Sequence, residues 1–446
     1  MTLDRKIIFL TLAHFVALTM LSQEFLTDEI VYRYFFGLEQ EDVTWINSAL
    51  LLFNGASFET SLGDAYRLPV YIYFQTILLN VFNGSVLPIK LSQILLSSLL
   101  IPTAYLICRN LNATKRTSYV ASMMIAIWPP LHIFSLNLTG ETLSIFFSAI
   151  YVLLIILFDK KKKFTLLIIA SIIIALMTLI KSNNLLLIII FLIYSFLKRN
   201  NFKVFLRNFL LHLILITLFI SPWSYYISNL NGTFIGTSIL GPQALVNYNG
   251  LREQPSNSVI GYVINKFNLT NQEYLNGGYI EDNFRIKNNC KDDLLEVLRS
   301  KNNANLEEIE KSCPTFEKQG KELDKSRDSI FTFYVDQWIE KPFERLALGL
   351  AKILHAYGAS FRGFKDYSTF LVFLISFIGY LFLNKQTKYK NLSYLYISSF
   401  IALNINSFIL IGYTRYRVIF FDLIAIVILA IVFCNLIFIE NNDKKI

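Results

Sequence analysis

Long apolar runs recur along this chain, and short blocks of lysine and arginine separate them. That alternation restricts the fold more than any single motif does. In hydrocarbon every backbone N–H and C=O must be satisfied within the chain, so an apolar run of about 20 residues crosses as a helix. Ten runs are read as spans: 7–22, 86–108, 117–134, 143–158, 164–180, 185–197, 205–223, 370–383, 395–411 and 418–437. Only 16% of the residues are charged, against about 25% in a soluble globular chain. The expected fold class is an all-α polytopic membrane protein.

The basic blocks orient it. Arg5-Lys6, Arg109 with Lys115-Arg116, Lys160 to Lys163, Lys198-Arg199, Lys385 to Lys390 and Lys444-Lys445 fall on one side if the ten runs alternate. By the positive-inside rule that side is cytoplasmic, and both termini lie there. The net charge of +9 is therefore a topological signal, and no nucleic-acid partner is expected. Three regions follow. Residues 1–223 form an N-terminal transmembrane catalytic module with a first outer loop at 23–85. Residues 224–365 form a mixed, partly helical extracytoplasmic segment, and 366–446 carry the last spans. The chain is placed in the cell (inner) membrane, with membrane lipids as its surroundings.

Residues 69–82 are apolar but too short to cross. As a helix of 1.5 Å per residue they reach about 21 Å, against a hydrocarbon core of about 30 Å. A crossing there would also move every later basic block outside. The run is read as an interfacial or re-entrant helix. In the outer segment, Cys290 and Cys313 suit a disulfide if that side is oxidising.

Several residues in outer positions carry chemistry. Glu41-Asp42 open an amphipathic helix, and Asp28-Glu29 precede them. Acids at a helix start favour the macrodipole, and a carboxylate there also suits a general base for an acceptor hydroxyl. Tyr66-Arg67-Leu68-Pro69 holds a guanidinium before a proline-started helix, where it serves either a phosphate or a lipid headgroup. Glu141 starts another helix. Lys181 and the pair Arg415 and Arg417 around Tyr416 sit at outer boundaries, against the charge rule, and polar groups at membrane depth tend to mark function. His132, after Trp128-Pro129-Pro130, is a cavity-lining candidate with Asp28, Tyr66, Glu141 and Tyr416. No zinc-like histidine spacing and no Gly-rich phosphate loop is present. No cofactor is expected, and no D-x-D signature in the first loop indicates a divalent metal.

In order, these motifs resemble the integral-membrane glycosyltransferases of the GT-C fold. The chain is similar to bacterial relatives of the dolichyl-phosphate-mannose–protein mannosyltransferases and of the lipid A aminoarabinose transferase. The resemblance rests on Glu41-Asp42 with Trp45, Ala49, Leu52 and Gly55, and on Tyr66-Arg67-Leu68-Pro69-Val70-Tyr71. It continues through Gly140-Glu141-Thr142-Leu143, Lys181-Ser182-Asn183, Pro222-Trp223, the helix opened by Pro342, and Arg415-Tyr416-Arg417. It implies an outer-side active site that takes a sugar from a polyprenyl-phosphate carrier. By that resemblance Asp42, with Glu41 beside it, is the catalytic base. Arg67, Lys181, Arg415 and Arg417 are phosphate contacts.

The expected function is transfer of a sugar from a polyprenyl-phosphate-linked donor to an acceptor hydroxyl of a lipid, glycan or protein. The competing classes are a transporter or flippase of lipid-linked saccharides, and a non-catalytic subunit of a membrane glycan complex. A flippase needs a polar path through its spans. A non-catalytic subunit needs no intact acid–arginine set.

Overall fold

The computed structural model describes residues 4–27, 39–62, 67–199, 201–238, 259–269, 332, 334–357, 364–409 and 414–442. Every regular element among them is helical. Each of the ten expected runs contains helix. Six helices are long and apolar enough to cross a membrane: Arg5–Ser22, Leu87–Asn110, Glu141–Lys161, Phe202–Asn231, Thr387–Ile409 and Val418–Leu436. A seventh candidate is a bent pair, Lys115–Ala126 with Pro129–Leu136, broken by 68°. The other three expected runs are the shorter apolar helices Phe164–Thr178, Ser182–Leu197 and Val372–Asn384. Cys290, Cys313, Asp28 and Tyr66 lie outside the described residues, as do the side chains of Glu41, Asp42 and Arg415.

The break in the bent pair has a local cause. Pro129 has no N–H to give the Ile125 carbonyl four residues back, and its ring opposes a continuing helix. The freed carbonyl is satisfied twice, by the Trp128 N–H at 3.2 Å and by His132 Nε2 at 2.7 Å. Ser97 Oγ engages His132 Nδ1 at 2.7 Å, and the His14 ring packs on the His132 ring with centroids 4.3 Å apart. His132 thus sits buried in the break, with both ring nitrogens bonded.

Pro222 behaves differently. Sequence places the end of a span at Pro222-Trp223, yet the helix Phe202–Asn231 runs through it and stops at Gly232, whose φ is 64°. Pro222 deprives Leu218 of its helical donor, and the Ser221 hydroxyl donates to that carbonyl at 3.0 Å. One hydroxyl makes good the missing bond, so the helix continues.

The two ends of the bundle differ in charge. At one end Asp4 pairs with Lys115 at 2.6 Å, Lys160 reaches Asn112, and Asp159 holds Lys162 and Lys198. Lys115 beside it, more than any other group, holds the Asp4 carboxyl well below the usual carboxylate range. Residues that sequence assigns to separate cytoplasmic blocks therefore meet at one end. The helix Glu141–Lys161, 21 residues long and so about 30 Å, carries Glu141 to the other.

The short helix Pro69–Val81 packs its Tyr71, Ile72, Gln75, Thr76 and Leu79 inward. Tyr73, Ile77 and Val81, four residues apart, stay exposed. The helix Pro342–Ala356 is amphipathic in the same way. Phe343, Leu346, Leu350 and Leu354 are exposed, while Leu348, Gly349 and Ala351 are buried. Gly349 allows it to press against Phe408 of the Lys390–Ile409 helix, where any Cβ would collide with the ring.

Candidate active site

The helix Glu39–Phe53 places Trp45 at the end of the bundle that also holds Glu141. Trp45 is buried, and its ring meets Tyr71 edge-on with centroids 5.1 Å apart. Arg67 lies over the other part of this contact, its Cζ 5.0 Å from the Trp45 ring centroid. A cation on an indole face is electrostatically favourable and fixes the guanidinium before Pro69. Asp42 stands three residues before Trp45, a neighbouring position on the same helix. The helices Glu39–Phe53 and Pro69–Val81 are thus one packed unit.

That unit is tied to the Lys181 break. Val70 N–H donates to the Leu179 carbonyl at 3.2 Å. Gly140 lets the start of the Glu141 helix approach the same point, since a Cβ there would lie 2.6 Å from Ile180 Cγ2 and 3.6 Å from Tyr71 Cγ. Lys181 then reaches Glu141 and forms an ion pair, their side chains 11% and 2% exposed. Both were singled out separately by sequence; the structure makes them partners. Thr237 extends the join. Its hydroxyl bonds Ser182 Oγ at 2.9 Å, and its carbonyl accepts from Trp223 Nε1 at 2.7 Å.

The Glu141 helix carries a polar stripe into the bundle. Glu141, Ser144 and Ser148 are spaced at i, i+3 and i+7, so they share a face. Glu141 meets Lys181, Ser144 Oγ accepts from Asn184 Nδ2 at 3.0 Å, and Ser148 Oγ donates to the Ile419 carbonyl at 2.6 Å. The stripe descends about 10 Å at ~1.5 Å per residue and ends at the second charged pair. Arg417 donates through Nε to Asp422 Oδ1 at 2.7 Å and through Nη2 to Oδ2 at 3.1 Å. Trp128 Nε1 donates to the same Oδ2 at 3.0 Å. Tyr416 is buried beside Arg417.

The structure therefore pairs Glu141 with Lys181 and sets Arg67 on the Trp45 ring, which in turn meets Tyr71. The polar face of the Glu141 helix leads from that pair towards the turn that holds Arg417. His132 belongs to the helix break. Asp422, Trp128, Ser144, Ser148 and Asn184 were not among the sequence candidates. An aspartate inside an apolar run is itself a signal, and Asp422 was legible on that ground. The serines carried none, because hydroxyls are common in membrane helices.

Residues 67–226 match the model of the dolichyl-phosphate-mannose-protein mannosyltransferase family. The matched stretch contains Arg67, Glu141 and Lys181 and stops before Arg417. No curated protein matches the chain significantly. Three similar solved chains are an archaeal oligosaccharyltransferase of Archaeoglobus fulgidus, each at 14% identity and a TM-score of 0.47. AglB in complex with an inhibitory peptide and a dolichol-phosphate covers 91% of this chain and 48% of its own. The enzyme tethered to an acceptor peptide gives 89% and 45%, and the apo form 96% and 51%. The chain spans about half the length of those structures. It is an integral, multi-pass membrane protein, one stretch of which matches that family's model.

Proposed function

We propose that this protein transfers a sugar from a polyprenyl-phosphate-linked donor to an acceptor hydroxyl on the extracytoplasmic face of the membrane. The observation that carries the reading is the family match across 67–226, because that stretch holds Arg67 and the Glu141–Lys181 pair. The acceptor is a lipid, glycan or protein hydroxyl. Asp42, with Glu41 beside it, takes the hydroxyl proton as the sugar bond to the carrier breaks. Arg67, Lys181, Arg415 and Arg417 supply positive charge where the phosphate leaves. Such fixed charge lowers the barrier most in a site that excludes water. Glu141 neutralises Lys181 in the resting state, which keeps that ammonium from being a buried lone charge. The residues supply proton transfer and charge without a metal or other cofactor.

The test is end-point transfer with pure protein in detergent, using polyprenyl-phosphate sugars and reading the release of polyprenyl phosphate. Release that depends on an added acceptor supports the reading. A flippase moves lipid-linked sugar only in sealed vesicles and releases no carrier in detergent, so translocation without release would replace the reading with that one.

A further inference from the structure

We propose that Asp422 and Trp128 are positioning residues that aim Arg417 at the phosphate of a lipid carrier, through a π turn built for that purpose. This rests on the reading of Arg417 as a donor-phosphate contact.

The geometry begins with the spacing. Arg417 and Asp422 are five residues apart. In an α-helix of about 100° per residue, five steps leave two side chains roughly 140° apart, on different faces. Here the segment Val418–Asp422 is π-helical. Its wider i→i+5 repeat stacks the two residues, and such turns are frequent at functional sites. The turn is held from outside, because Ser148 on the Glu141–Lys161 helix donates to the Ile419 carbonyl.

The turn serves a single carboxylate. Asp422 accepts from Arg417 Nε, Arg417 Nη2 and Trp128 Nε1. Trp128 lies at the break before Pro129, so its indole reaches across from another helix. The guanidinium is thereby fixed on two of its three nitrogens. The third, Nη1, has no hydrogen-bond partner among the described residues, although the residue is only 3% exposed. A buried charged donor without a partner is expensive. A pair built only for stability would not leave it so. A phosphate oxygen is an acceptor that suits it, through a charge-assisted bond.

The sign of the mutational effect separates orientation from charge. Removing the Asp422 carboxylate raises the local positive potential, which alone would tighten phosphate binding. Weaker binding therefore reports lost orientation.

The experiment measures binding of polyprenyl monophosphate to the full chain in detergent, with polyprenol and inorganic phosphate as separate arms. Arg417→Gln is expected to weaken the monophosphate at least 10-fold and to leave polyprenol unchanged. Asp422→Asn is expected to weaken it about 10-fold and Trp128→Phe about 3-fold, each with no further loss in the Arg417→Gln background. Trp128→Phe keeps the ion pair and removes one donor, so it decides the matter if Asp422→Asn folds poorly. Unchanged or tighter binding in Asp422→Asn or Trp128→Phe, with Arg417→Gln weakened, overturns the positioning role alone. Unchanged binding in Arg417→Gln overturns the donor-contact reading beneath it. Inorganic phosphate competing as well as the lipid would make the site one for free phosphate and overturn the carrier assignment.

Discussion

Asp42 precedes Trp45 by three positions, and Trp45 carries Arg67 on its ring. That spacing of a candidate base from a fixed cation gives a sharp expectation. Asp42→Asn keeps the side-chain volume and removes the base. Transfer should fall by about 10²–10⁴-fold, with binding of polyprenyl monophosphate retained. Full transfer in that variant would move the role to Glu41 or Asp28. The Lys181–Glu141 pair gives a second expectation, this one in stability. Glu141→Gln leaves a nearly buried ammonium without its counter-charge, at a cost of about 3–5 kcal/mol. Adding Lys181→Met should restore much of that loss in thermal melts, since an apolar pair of similar volume suits the site. A double variant no more stable than Glu141→Gln would count against a buried ion pair. Sequence marked both residues but could not pair them, because 40 positions separate them and only the Gly140 approach closes the gap. Asp422 shows the opposite failure. Its partner is five residues away, on the wrong face of any regular helix, so helical periodicity hides the pair and only the π turn reveals it.

Among the elements, those set by hydropathy alone were readable, and those set by a single hydrogen bond were not. Each apolar run became helix, but the end of Phe202–Asn231 moved past Pro222 because one serine hydroxyl replaced the missing donor. The break at Trp128 was marked by two prolines, yet nothing local showed that it would offer an indole to Asp422. Gly140 sets how closely the Glu141 helix meets the Lys181 break. Gly140→Ala would force its methyl to within 2.6 Å of Ile180 Cγ2, and Ile180 is itself buried. Overpacking of this kind costs about 1–3 kcal/mol. The melting temperature should drop, and Ile180→Ala in the same chain should recover part of it. The helix Pro342–Ala356 makes a pH prediction. Burial, and then the Arg345 charge, pull the Lys352 ammonium down to about 7 from its ordinary 10.5. The unfolded chain therefore binds a proton that the folded one refuses between those values, so stability rises with pH across that window. Below about pH 7 both states are protonated and this dependence levels off. Melts from about pH 6 to about pH 9 should rise for the native chain and be flatter for Lys352→Met. Parallel curves would mean that Lys352 is charged in the fold.

Taken whole, the molecule separates two ends along one set of helices, and this separation allows a test of its placement in the membrane. Asp4, Lys115, Asp159, Lys162 and Lys198 meet at one end. The Glu141–Lys181 pair and Arg67 on the Trp45 ring lie at the other. The element whose crossing would reverse this order relative to the membrane is Pro69–Val81. Its 13 residues reach about 20 Å at ~1.5 Å per residue, short of the roughly 30 Å hydrocarbon core. Its start is fixed to Leu179, beside Lys181, and one face is packed on the Glu39–Phe53 helix. If it does not cross, the loops before and after it share a side with each other and with the site. Ser57 and Ser85 are exposed on either side of it, and Lys163 is exposed at the basic end. Single replacements Ser57→Cys, Ser85→Cys and Lys163→Cys can be probed in intact cells with a membrane-impermeant maleimide, in a chain whose own cysteines are changed to serine or alanine. Ser57→Cys and Ser85→Cys should both label without permeabilisation, and Lys163→Cys only after it. Labelling of just one of the two serine positions would make Pro69–Val81 a true span, and the later basic blocks would then lie outside. Labelling of the Lys163→Cys variant alone would invert the whole chain and put the proposed sugar-transfer site in the cytoplasm, where an extracytoplasmic acceptor could not reach it.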